Sequence, residues 1–149
     1  MTQAKMPAYI RADVLLVLVH AAKRGQTVQY LSIMRACGIP RGQPPKSAEK
    51  AIGYIVGAIS EWTSSKWSVF LSSIVVEKST GYPGGGFFGS SHLPKDLRRP
   101  SSRWMDNTLS EKEKTHVHKC QADVFEWART CKLSVAIAAR GKKMRGPIA

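Results

Sequence analysis

Apolar residues recur at helical spacing through the first third of the chain. Ile10, Val14, Val17, Leu18 and Ala21 repeat every three or four positions, which predicts a helix over Ala8 to Arg24 with one buried face. Lys23 and Arg24 sit in its last turn, where cations suit the helix dipole, and Gly25 ends it. Thr27 is placed to cap a second helix from Val28 to Cys37, with Leu31, Ile33 and Met34 inward and Gly38 closing it. The segment Ile39 to Lys46, with three prolines and a glycine, excludes regular structure. Ser47 then reads as the cap of a third helix running to Trp62, its stripe formed by Ala48, Ala51, Ile52, Ile55, Val56, Ile59 and Trp62. Gly53 and Gly57 each weaken this helix by about 1 kcal/mol relative to alanine, so a close neighbour is expected on their face.

The period then shortens. Val69 to Glu77 is rich in Val, Ile and Ser and predicts a strand. Lys78 to Phe88, KSTGYPGGGFF, predicts a tight reversal with Phe87 and Phe88 opening a return strand. Ser90 to Asn107 reads as a loop, and Thr108 with Glu111 as the capping box of a fourth helix. That helix would bury Val117, Cys120 or Gln121, Val124, Trp127 or Ala128, and Cys131. The expected fold is therefore α+β and mostly helical. It is a winged helix-turn-helix with a β-hairpin wing and an extra C-terminal helix. The divisions are a winged-helix domain over 8–88, a basic loop over 89–107, a helix over 108–133 packed on the same domain, and a basic tail over 134–149.

Charge adds a partner to this outline. The chain of 149 residues has 23 Lys and Arg against 10 Asp and Glu, a net charge of +13. Both halves share the excess. So large an imbalance raises self-repulsion and points to a polyanion, with DNA expected ahead of RNA. A protein partner is the alternative, in which a small basic factor or phage-type inhibitor docks through aromatic anchors such as Trp62, Trp67, Phe87, Phe88 and Trp104. No apolar run approaches membrane-spanning length, and the N-terminus lacks a signal-peptide layout, so no membrane partner and a cytoplasmic location are expected.

Candidate contacts follow from the third helix and the wing. Backbone amides at the helix start, with Lys46, Ser47 and Lys50, suit phosphate. Tyr54 lies on the same side, and Arg41 precedes the helix. No Arg, Asn or Gln lies on the helix for bidentate base reading, so binding should be dominated by phosphates and weakly sequence-specific. Lys78, Ser79, Thr80 and Tyr82 mark the wing tip, where they suit a phosphate backbone, or a simple tight turn. Arg98, Arg99 and Arg103 beside Trp104 could hold a strand, or form a charged loop over a buried ring.

Three fragments, TVQYLSIM (Thr27–Met34), EKAIGYIVGAI (Glu49–Ile59) and LSSIVVEKSTG (Leu71–Gly81), resemble the DNA-binding half of the O6-alkylguanine alkyltransferase and alkyltransferase-like family. The resemblance puts Tyr30 where the family sets a tyrosine against the DNA backbone. It puts Lys50 where the family has an arginine that enters the base stack. The chain departs from the pattern at the reactive centre: Ser72 and Ser73 stand in the neighbourhood of the family's cysteine, its activating histidine is missing, and Leu31 replaces a glycine. Alkyl transfer needs a thiolate beside a base, so the resemblance implies the scaffold without the chemistry, and no enzymatic activity is expected.

Other chemistry is thinly represented. Cys37, Cys120 and Cys131 are odd in number and widely spaced, which argues against a disulfide framework. His116 and Cys120 lie four apart, but no second ligand pair accompanies them. The acids form no cluster for acid–base or metal-dependent work. Neither a metal nor a cofactor is expected.

Overall fold

A computed structural model describes residues 6–39, 45–89, 93–100 and 108–131, with backbone alone at 45–51 and 85–86. Among the described residues there are four α-helices: α1 (Ala12–Lys23), α2 (Tyr30–Ala36), α3 (Pro45–Trp67) and α4 (Glu111–Thr130). Two short strands, β1 (Val28–Gln29) and β2 (Val75–Val76), pair in parallel, Val28 with Val75 and Gln29 with Val76. The mostly helical α+β class holds.

Helix α1 starts four residues later than the spacing suggests. It buries Ala12, Val14, Leu15, Leu18, Val19, Ala21 and Ala22, while Val17 stays partly exposed. Its end is a Schellman motif. The Gln26 N–H donates to the Ala21 carbonyl at 3.0 Å, the Gly25 N–H donates to Ala22 at 3.0 Å, and Gly25 sits at φ +66°. Helix α2 closes the same way, with Ile39 N–H on Met34 O at 2.8 Å and Gly38 at φ +64°. Its start differs from expectation. Val28 and Gln29 are strand, because they pair with β2, so Thr27 caps nothing and α2 begins at Tyr30.

Helix α3 outruns its expected end at Trp62 by more than a turn. Thr63, Ser64 and Ser65 look like loop residues, since their hydroxyls compete for backbone groups. Here they turn back onto carbonyls three residues earlier, Thr63 on Ser60 at 3.2 Å, Ser64 on Glu61 at 3.0 Å and Ser65 on Trp62 at 2.9 Å. Ser68, at φ +59°, then breaks the helix. Among the described residues, a β-carbon at Gly53 or Gly57 would meet nothing within 4 Å, so no element of the described fold is their close neighbour.

The expected strand over Val69–Glu77 and its hairpin are replaced. A 3-10 helix occupies Leu71–Ile74, held because Ser60 Oγ accepts the Ser72 N–H at 3.2 Å and bonds the Ser72 hydroxyl at 2.9 Å. Only Val75 and Val76 remain extended, and they pair with β1 rather than with a return strand. Pro83 has no N–H to offer a ladder. Phe87 and Phe88 lie in a second 3-10 helix, Gly85–Gly89, and are buried. The reversal itself survives as a turn over 77–82, in which Glu77 N–H donates to Tyr82 O at 3.0 Å and Gly81 N–H to Glu77 O at 2.8 Å.

Helix α4 spans two cores. Val124 and Ala128 join the main core of α1, α2, α3 and the segment around Leu71–Val75. Val117 and Cys120 join a smaller one with Phe87, Phe88 and Leu93. Lys23 of α1 donates its ammonium to the carbonyls of Ala128 at 3.0 Å and Cys131 at 2.6 Å, so it caps the C-terminus of α4 rather than its own helix. Trp67 bridges Trp62 and Trp127, with ring centroids 5.3 and 5.4 Å apart.

The glycines separate into two kinds. Gly25→Ala should destabilise the fold by about 1 kcal/mol, because its backbone is left-handed. Gly53→Ala and Gly57→Ala should each stabilise it by about 1 kcal/mol, since both positions are helical and open. Urea denaturation midpoints of the three variants measure both signs.

Candidate nucleic-acid interface

Most of the described acids pair with cations of the same chain, several of them at the surface. Asp13 pairs with Arg11 at 2.5 Å, Glu111 with Lys114 at 3.4 Å, Asp123 with Lys119 at 3.1 Å and Glu126 with Arg129 at 2.9 Å. Asp96 pairs with Lys112, which holds its carboxyl below the usual range. Glu77 is packed where a side chain at Gly84 would meet its carboxylate at 3.6 Å. Against this, Arg35, Lys66, Lys78 and Lys95 are exposed and form no ion pair among the described residues.

The sequence candidates divide by position. Lys46, Ser47 and Lys50 lie in the first turns of α3, and Tyr54, 67% exposed, follows one turn on. Gly53 and Gly57 leave the surface beside Tyr54 low and open. Lys78 stands exposed on the 77–82 turn. Arg98 is exposed as a residue, with its Nε donating to Leu93 O at 2.9 Å. Arg41 and Arg103 lie outside the described residues, as does most of the basic tail.

Two candidates face inward. Tyr30 is partly buried against the main core, with its hydroxyl beside Gly84 and Glu77. Burial first, then the Glu77 charge, pushes its ionisation up, against the lowering effect of the Gly84 backbone. Arg99 is 4% exposed. Its Nε and Nη2 grip the two Glu113 oxygens at 2.8 and 2.9 Å, Nη2 also donates to Thr108 O at 2.9 Å, and the guanidinium lies 4.8 Å from the Phe88 ring centre. A cation so enclosed offers nothing to a phosphate. Its place in an arginine-rich run suggested exposure, but Glu113 supplies the partner that makes burial tolerable.

The same pair explains a shifted cap. Thr108 and Glu111 fit the capping-box pattern, yet the helix starts two residues later, on Ser110 and Glu113. Ser110 Oγ accepts the Glu113 N–H at 3.1 Å, and Glu113 Oε1 accepts the Ser110 N–H at 2.9 Å. This register turns Glu113 toward Arg99 and leaves Glu111 in solvent.

Around the 77–82 turn the structure assembles residues that the sequence does not connect. Tyr82 Oη lies 3.4 Å from His118 Nε2, with ring centroids 5.6 Å apart, and Lys114 Nζ lies 5.8 Å from the Tyr82 ring centre. A cleft of about 270 Å³ opens there, lined by Thr80, Tyr82, Thr108, Leu109 and Lys114.

The thiols are not poised for attack. Cys120 Sγ lies 3.4 Å from His116 Nε2, but burial pushes the thiol up to about 11 and the imidazole down, so the pair stays neutral near pH 7. Burial, then Asp13, pushes Cys37 up to about 11 as well. None of the three cysteines is in a disulfide, and among the described residues no group of three side chains could hold a metal. Nor is any described helix long and apolar enough to cross a membrane.

Arg99→Ala should cost about 3 kcal/mol or more by leaving Glu113 buried without its partner. The Arg99 bond, aided by the Ser110 backbone, holds the Glu113 carboxyl below its ordinary 4.5 against desolvation. Its contribution is therefore complete above pH 4.5 and fades as pH falls through the lower folded-state value. Urea melts from pH 7 to pH 3 should show this acid loss in the wild type and a smaller one in Arg99→Ala.

No family model, curated protein or solved structure matches the chain.

Proposed function

We propose that the chain is a non-enzymatic nucleic-acid-binding protein that holds double-stranded DNA through its phosphates, with weak sequence preference. One observation carries this reading: most of the described acids are paired within the molecule while lysines and arginines stand free on it, under a net charge of +13. Such a surface presents a positive field to a polyanion. The contacts would come from Lys46, Ser47 and Lys50 at the start of α3, from Tyr54, from Lys78 on the turn and from Arg98.

In this reading α1, α2 and α3 act as a winged-helix scaffold, akin to the alkyltransferase-like one, with the 77–82 turn doing the work of a wing. Helix α3 would lie in the major groove of B-form DNA, which admits a helix. The deep, narrow groove of A-form RNA does not, hence the preference for DNA. The open surface at Gly53, Tyr54 and Gly57 lets a backbone approach closely. The same open face favours a second reading, in which α3 docks on a protein partner.

Fluorescence anisotropy on a blunt 20-base-pair duplex tests the proposal. With four to six phosphates engaged, affinity should fall roughly a hundred- to a thousand-fold between about 50 and 200 mM salt. Lys50→Glu with Lys78→Glu should abolish binding. Absence of binding to DNA and RNA at the lower salt overturns the proposal. A protein complex that survives both charge reversals but weakens in Tyr54→Ala would support the second reading.

A further inference from the structure

We infer that the cleft between the 77–82 turn and the start of α4 takes one unpaired nucleotide of a nucleic-acid strand, its base against Tyr82 and Leu109 and its phosphate on Lys114. This rests on the proposed nucleic-acid reading and adds a second contact, distinct from α3. The lining has the mixed chemistry a nucleotide needs: an aromatic face, an aliphatic side chain, two threonine hydroxyls and one ammonium. At about 270 Å³ the cleft is near the lower end of ligand pockets, ~300–1,000 Å³, which suits one nucleotide and not a base pair.

Tyr82 is held in place by its neighbours, with Lys114 over its ring and the His118 ring 5.6 Å away. Its hydroxyl meets His118 at 3.4 Å, and its ring packs on the second core. Its backbone is fixed on both sides, the N–H donating to Thr80 Oγ1 at 3.1 Å and the carbonyl accepting from the Thr80 hydroxyl at 3.2 Å and from Glu77 N–H at 3.0 Å. A ring already ordered loses little freedom when a base stacks on it. Lys114 has one competitor, Glu111, at 3.4 Å, whose side chain is 92% exposed. Water screens that pair, so an incoming phosphate can displace it. Exposed Lys78 lies on the same turn and would meet the next phosphate along the strand. Aromatic stacking beside cations is how single strands are held without sequence reading.

The experiment compares the blunt duplex with the same duplex carrying a three-nucleotide single-stranded overhang, using the full chain. The wild type should bind the overhang duplex roughly tenfold more tightly, the lower range of one stacked base. Tyr82→Ala and Lys114→Ala should both remove that gain, and Lys114→Ala, outside the proposed duplex contacts, should leave blunt-duplex affinity within about twofold. Tyr82→Phe should keep it, and it separates lost stacking from a damaged turn if the alanine variant melts early. Blunt binding with no gain from the overhang overturns the cleft while the duplex proposal stands. Binding of a single-stranded oligonucleotide, lost in Tyr82→Ala, without blunt-duplex binding supports the cleft and overturns the duplex. Free adenosine monophosphate should compete only weakly. Its tight capture, with no gain from the overhang, overturns the assignment to a strand.

Discussion

The ion pair between Arg99 and Glu113 ties the described residues before α4 to the first turn of that helix. Both side chains sit inside the protein, and neither could remain there alone. Glu113 also closes the N-terminus of α4 through Ser110, so one carboxylate satisfies a buried cation and a helix start together. Arg99 reaches the other way, onto the Phe88 ring, while its backbone N–H donates to Phe88 O at 2.7 Å. The segment before α4, the 3-10 helix around Phe88 and the first turn of α4 are thereby joined. From that anchor α4 runs across both cores to Lys23, which closes its far end.

This arrangement divides the cations into two populations. Arg11, Lys23, Arg99 and the paired residues of α4 work within the molecule. Those on α2, at the end of α3 and on the 77–82 turn do not. Of the second population, Lys78 belongs to the proposed contact surface, while Lys114, the proposed cleft's cation, comes from the first through its exposed pair with Glu111. The cysteines fit the same division, since burial pushes the Cys37 and Cys120 thiols up to about 11.

Where local signals were unopposed, the sequence was legible. The stripe of α1 and the glycines at 25 and 38 stood clear because periodicity and left-handed backbone are local properties. The inner face of α3 was equally plain in Ile52, Val56, Ile59 and Trp62. Long-range partners overrode the rest. Ser60 captured Ser72 and broke an apparent strand, and β1 drew Val75 and Val76 into a parallel pair that no hairpin pattern announces. Two capping boxes overlapped before α4, and the choice fell to an arginine fourteen residues away from Glu113. For the same reason Arg99 and Tyr30 looked like surface contacts: their buried partners, Glu113 and the Gly84 backbone, are distant in sequence. Tyr54 and Lys78 are exposed, as expected, although Lys78 stands on a turn and not on a hairpin wing.

The central claim is that the outer face of α3 and the 77–82 turn form the contact surface, while Arg99 and Glu113 belong to the interior. Amide chemical shifts of the nitrogen-15-labelled chain, followed while a short duplex is added at low salt, test it most directly. The account predicts progressive shifts at residues 45–54 and 78–82, with the amides of Arg99, Glu113 and the buried face of α1 unmoved. Shifts confined to the surface around Trp67 and Trp127, or a spectrum that leaves α3 and the turn unchanged, would contradict it.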